Sequence, residues 1–287
     1  MIDRHKGALL ALCGVTILSL DSLLVRLVDA ASPWNLVFWR GLLLSITLLS
    51  IEFFRAQQSA EGRPAGFSVA VFTGGFGYAS AAMFFVLGLG KSDVTSVLAI
   101  YSMAPFFAAV IAFVVLRETL PRHTVIAMAV AMVGIAAIFQ YGVGSGEEIG
   151  DLYALVSGLG SATYLVSLRR DSGSSGTRIL VTGGVTMALI ALLNGASPMA
   201  IQGVNFIYML LLGSVVVPLS GLCVAKSSQY LPAAQVGLIL LLELLFGPFW
   251  IYLVFNETPA TENMIGGTLV LVTLFAHTLW ESRTERR

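Results

Sequence analysis

Ten runs of about twenty apolar residues, joined by short polar links, leave this chain few ways to fold. A helix that crosses a membrane needs about 20 mostly apolar residues. By that measure helices are expected over Gly7 to Val28, Trp34 to Phe54, Phe67 to Leu89, Thr95 to Leu116 and Thr124 to Tyr141. Five more are expected over Asp151 to Leu168, Ile179 to Leu193, Phe206 to Ala225, Ala233 to Val254 and Met264 to Trp280. Composition agrees. Of 287 residues, 57% are apolar and 11% charged, against roughly a quarter charged in soluble domains. Such a chain cannot cover a surface facing water. The first run is long for a signal-peptide core and no small-residue cleavage site follows it, so it is expected to be retained. The longest link, Arg55 to Gly66, is too short for a soluble domain.

The basic residues sort by side. With the N-terminus in the cytoplasm and the helices alternating, Arg4, Lys6, Arg55, Arg63, Arg117, Arg122, Arg169, Arg170, Arg178, Lys226, Arg283, Arg286 and Arg287 fall inside. Only Lys91 falls on an outer link, where Asp29, Asp93, Glu147, Glu148, Glu257 and Glu262 lie. An excess of Lys and Arg on the cytoplasmic side is the usual orienting signal. One helix more or fewer would scramble this separation. The sequence therefore predicts an all-α integral membrane protein with ten helices and both termini cytoplasmic.

Two stretches echo each other. Thr95 to Thr119 reads TSVLAIYSMAPFFAAVIAFVVLRET, and Ala234 to Thr258 reads AQVGLILLLELLFGPFWIYLVFNET. With Glu118 laid over Glu257, Thr119 meets Thr258, Val115 meets Val254, Phe107 meets Phe246 and Ala104-Pro105 meets Glu243-Leu244. The first and sixth helices align with Gly7 over Gly150, which brings Arg26 onto Arg169. The chain thus reads as two five-helix repeats, residues 1–146 and 147–287. Because five is odd, the second repeat must cross in the opposite sense. Inverted repeats of this kind build secondary transporters, with the substrate site near the midplane between the halves.

Short motifs carry a family resemblance. They are Ser32-Pro33 with Phe38-Trp39-Arg40, Ala104-Pro105 closing at Leu116-Arg117-Glu118, and Leu242-Glu243 closing at Asn256-Glu257-Thr258-Pro259. With these the chain resembles the drug/metabolite transporter superfamily, in its ten-helix EamA branch, over its whole length. The resemblance implies export or exchange of small metabolites across the bacterial inner membrane, without implying one substrate. One departure stands out. The family often has Glu-Pro in the ninth helix, and here Leu244 follows Glu243, with Pro248 one turn later. A kink displaced toward Pro248 is therefore expected.

Ionisable groups within the bilayer are costly and mark function by default. Asp21 and Arg40 each lie seven residues from the outer end of their helix, about 10 Å deep at 1.5 Å per residue. They are expected either to pair or to bind the charged ends of a zwitterion. Arg26 is nearer the surface, where snorkelling explains it. Glu243 falls near the midplane, with no basic residue evident at its depth. A carboxyl there suits proton coupling or a cationic substrate, with a neutral acid bonded to a backbone carbonyl as the plainer role. Tyr78, Tyr101, Tyr164 and Trp39 are candidate substrate-stacking aromatics, with helix packing as the plainer role. Pro105 and Pro248, like Pro218, remove backbone donors in mid-membrane and are candidate hinges. Small residues at four-residue spacing, Gly77 with Ala81, Ser157 with Ser161 and Gly158 with Ala162, predict close packing of the third and sixth helices.

The rest is exclusion. No nucleotide-binding loop is present, His5, His123 and His277 are scattered, and Cys13 and Cys223 lie inside apolar runs as packing residues. No metal site, cofactor, nucleic-acid partner or enzyme chemistry is expected. A channel would want a ring of repeated polar residues. The expected function is secondary-active transport by alternating access of a small-molecule substrate, an amino acid or related zwitterionic or aromatic compound, or alternatively proton-coupled efflux of a cationic drug. The expected partners are that substrate and membrane lipid, with the protein a monomer or homodimer.

Overall fold

The computed structural model describes residues 2–28, 30, 32–58, 68–92, 94–117, 148–171 and 176–256, with isolated helical positions between 125 and 133 and at 268 and 272. The expected fifth and tenth helices lie almost wholly outside the described residues. Among the described residues seven helices are long and apolar enough to cross a membrane: Arg4–Leu27, Pro33–Phe54, Val69–Leu89, Ile149–Arg170, Gly176–Leu193, Val204–Ser227 and Ala233–Phe255. They correspond to the first, second, third, sixth, seventh, eighth and ninth spans of the sequence. The fourth span is made of Val94–Tyr101 and Ala104–Leu116.

The echo between the fourth and ninth spans is a structural repeat. Both are broken in the middle, and in the same register. Val94–Tyr101 answers to Ala233–Leu240, and Ala104–Leu116 answers to Glu243–Phe255. Each second half ends in a left-handed residue, Arg117 with φ 55° and Asn256 with φ 55°. These are the only non-glycine residues with positive φ among the described residues. In the fourth span Pro105 sits in the first turn of the second half, where its missing N–H costs nothing and favours a break just before it. The ninth span breaks at the same place without a proline. There Leu244 N–H bonds Leu241 O at 3.0 Å, a tighter i to i+3 pattern.

This corrects the expected displacement. The break is not moved toward Pro248, which lies inside the continuous helix Glu243–Phe255. Tertiary packing explains the retained break. A Cβ on Gly237 would meet Pro105 at 3.2 Å, so the two broken helices cross against each other. In the eighth span a π-helical turn, Leu212–Val216, precedes Pro218 and hands the N–H of Val217 to Leu212 O, which accommodates the missing donor.

The halves interlace. The third span lies on the sixth, backbone to backbone. A Cβ on Gly77 would come within 2.8 Å of Tyr164 N, and one on Gly160 within 2.6 Å of Ala81 N. Ser157 Oγ–H adds a 2.6 Å bond to Ala81 O. The close packing read from the small residues is thus present, with Gly160 as its second contact point. The first span packs on the eighth in the equivalent way, and the second meets the seventh where Gly41 faces Gly184. The Gly7–Gly150 equivalence also holds. Gly7 abuts Tyr230-Leu231, and Gly150 abuts Lys91-Ser92, which are the matching positions. Large apolar side chains on the outer faces, such as Phe72, Phe76 and Phe113, stay exposed. In lipid such a face carries no hydrophobic cost.

Candidate functional site

Asp21 and Arg40 meet. Arg40 Nη1 donates to Asp21 Oδ1 at 2.7 Å and to Oδ2 at 2.8 Å, with both side chains buried. Position dictates the pair. The short link between the first two spans makes them antiparallel neighbours, and both residues lie at one depth. A buried ion pair holds only when the charges stay matched and bonded. Among the described residues Arg40 Nε is buried with no hydrogen-bond partner, as is the hydroxyl of Tyr164.

The pair lines a cavity in the middle of the bundle. Tyr78, Tyr101, Tyr164 and Glu243 line the same cavity. Six of the residues picked from sequence therefore converge on one place. The cavity gives the centre of a water molecule about 70 Å³ to move in, whereas a single water needs only about 10–15 Å³. Tyr101 Oη and Ser161 Oγ are 3.1 Å apart and hydrogen-bonded. Tyr78 stands edge-on to Tyr164 with ring centres 5.2 Å apart, and Phe85 edge-on to Tyr101 at 5.7 Å.

Glu243 opens the second half of the ninth span, and the helix break turns it inward. It is 4% exposed. No hydrogen bond reaches its carboxyl among the described residues. The sequence reading found no base at its depth, and the structure corrects that. Arg40 lines the same cavity. Depth counted along separate helices does not reveal which side chains face one another. Glu243 also lines a second, smaller void between the fourth and ninth spans, beside Pro105 and Gly237.

Trp39 is not at the cavity. Its indole Nε1–H donates to Pro198 O at 2.9 Å, and its ring stands 5.1 Å from that of Phe206. With Asn35 Oδ1, which accepts from Ser197 N–H at 2.7 Å, it fastens the second span to the link between the seventh and eighth. Its neighbour Arg40 turns into the cavity, and adjacent helical residues cannot share a face. Pro248 does not line the cavity either. Arg26 rests over the ring of Phe255, 4.8 Å from its centre.

Sequence reasoning missed Phe85, Ser220 and the site role of Ser161, all of which line the cavity. A signal was available. Tyr78, Ala81, Ala82 and Phe85 fall on one helical face. The register that lays Glu118 over Glu257 carries them onto Val217, Ser220, Gly221 and Val224, which all line the cavity as well. The other register, Gly7 over Gly150, pairs Leu18 and Asp21 with Ser161 and Tyr164, which also line it. The cavity therefore sits on the pseudo-twofold axis. Among the described residues no group of His, Cys, Asp or Glu is arranged to hold a metal ion.

The comparisons with known proteins bear on this arrangement. The model of the EamA-like transporter family matches residues 5–140 and again 148–278. No curated protein matches the chain. One solved structure, described only as "Crystal structure of protein", superposes with a TM-score of 0.78 at 14% identity, over 96% of this chain and 98% of the other. At that identity it shows a shared fold.

Proposed function

Since the chain belongs to the EamA-like transporter family, and is thus a multi-pass membrane transporter, we propose that it is a secondary-active carrier that exports or exchanges amino acids or related zwitterionic or aromatic metabolites. One observation carries the reading. The buried Asp21–Arg40 pair, the Glu243 carboxyl and three tyrosines converge on one cavity on the pseudo-twofold axis. Carriers with inverted repeats bind substrate there. Asp21, Arg40, Tyr78, Tyr101 and Tyr164 bind the substrate, and Glu243 couples its movement to protons.

The repeats span residues 1–146 and 147–287, and they alternate access to the cavity. Because the third span packs on the sixth and the first on the eighth, the bodies that rock are drawn from both repeats. The broken fourth and ninth spans, with Pro105 at their crossing, are where bending concentrates. The protein lies in a bacterial inner membrane with both termini cytoplasmic, as a monomer or homodimer.

A second reading is proton-coupled efflux of cationic compounds. It is favoured by the Glu243 carboxyl, which has no hydrogen-bond partner among the described residues. Counterflow in proteoliposomes tests the carrier function. Saturable exchange of labelled substrate is expected, and a conductance that does not saturate would replace the carrier with a channel.

A further inference from the structure

The two halves of the cavity are equivalent in backbone and unlike in side chain. On the third and fourth spans the lining is aromatic, with Tyr78, Phe85 and Tyr101. The matching positions on the eighth and ninth spans are Val217, Val224 and Leu240. Among the described residues the eighth and ninth spans bring no aromatic side chain to the cavity, so a ring entering it meets the aromatic side chains of the third and fourth spans, with Tyr164 beside Tyr78, on one side. The polar groups are equally lopsided. Asp21 answers to Tyr164, and Glu243 answers to Ala104, which faces the smaller void.

The charge balance singles out one group. Asp21 and Arg40 neutralise each other through two short bonds. The remaining carboxyl, Glu243, is 4% exposed, lines the cavity and takes no hydrogen bond from the described residues. An unpartnered carboxyl beside aromatic faces suits an organic ammonium, which bonds the carboxylate and is also attracted to the rings.

Resting on the transporter reading above, we propose that the substrate carries an aromatic ring and a primary ammonium group and binds in a single orientation, with the ring on the Tyr78–Phe85–Tyr101 wall and the ammonium at Glu243. Phe85 and Tyr101 then determine specificity for the ring. Both aromatic amines and aromatic amino acids have this chemistry. In the amino acid, the carboxylate lies on the Arg40 side.

The test is half-saturation in proteoliposome counterflow with three probes: phenethylamine, 2-cyclohexylethylamine and phenylalanine. The first two share size and charge and differ in the π-face. Phenethylamine is expected to saturate at about fivefold lower concentration, the scale of an aromatic pair. Phe85→Leu and Tyr101→Leu should erase that advantage. Tyr101→Phe should keep it, as should Phe84→Leu, whose ring packs on Tyr153 outside the cavity. Glu243→Gln should weaken phenethylamine about tenfold, on the scale of one charge-assisted bond. Whether phenylalanine or phenethylamine ranks first separates the two sources, and either ranking supports the proposal. Equal half-saturation for the phenyl and cyclohexyl probes overturns it while leaving transport intact. So does an advantage that survives both leucine variants. Absence of saturable exchange for every solute tried overturns the transporter reading and this proposal with it.

Discussion

Glu243 and Ala104 are equivalent residues. Each is the first residue of the second half of a broken helix, and both border the smaller void, yet only Glu243 also reaches the central cavity with its carboxyl. The common backbone thus serves two purposes, and the side chain at one position separates them.

That relationship predicts the effect of Glu243→Gln on energy coupling. The amide keeps the shape and loses the exchangeable proton. Counterflow at saturating substrate is expected to persist, while accumulation driven by a pH gradient falls to the equilibrium ratio. Accumulation with unchanged pH dependence would remove the coupling role.

The Asp21–Arg40 pair makes a prediction about stability. Arg40→Met or Asp21→Leu alone leaves a buried charge unmatched and should cost about 3–5 kcal/mol. The double variant removes both charges and should recover most of that loss. Thermal unfolding in detergent measures it. Additive losses in the double variant would show that the two residues do not depend on each other.

Packing predicts a contrast between two glycines of the interlaced spans. Gly77→Ala places a methyl 2.8 Å from Tyr164 N and 2.9 Å from Gly160 O. Overpacking of this kind costs about 1–3 kcal/mol. Gly158→Ala meets nothing closer than 3.4 Å and should be tolerated. Melting temperatures of the two variants, side by side, check the difference.

Trp39→Phe should behave as a structural substitution. It loses the 2.9 Å bond to Pro198 O, worth about 1 kcal/mol. Half-saturation for substrate should not move. A shifted half-saturation would place Trp39 in the path of the substrate.

The sequence disclosed most where cost in the membrane is high. Asp21, Arg40 and Glu243 stood out because a charge in lipid demands a reason, and all three line the cavity. Tyr78 and Tyr101 followed from depth. Depth alone could not reveal facing, which is why Trp39 was grouped with the site and why Arg40 was not matched to Glu243. The ninth-span break was misplaced for a related reason. Proline marks a break by local chemistry, whereas the break before Glu243 follows from the crossing with Pro105 and Gly237. Phe85 and Ser220 were hidden because neither is unusual in an apolar helix. Only the register between repeats brings them forward.

The pairing of the third span with the sixth has a consequence for how the protein is made. Translation delivers the N-terminal half first. Gly77 then enters the bilayer before Gly160 exists to cover it, and Gly41 before Gly184. These grooves must hold lipid until the second half arrives and displaces it. The close contacts of the N-terminal repeat at Gly77 and Gly41 therefore form only once the second half is inserted.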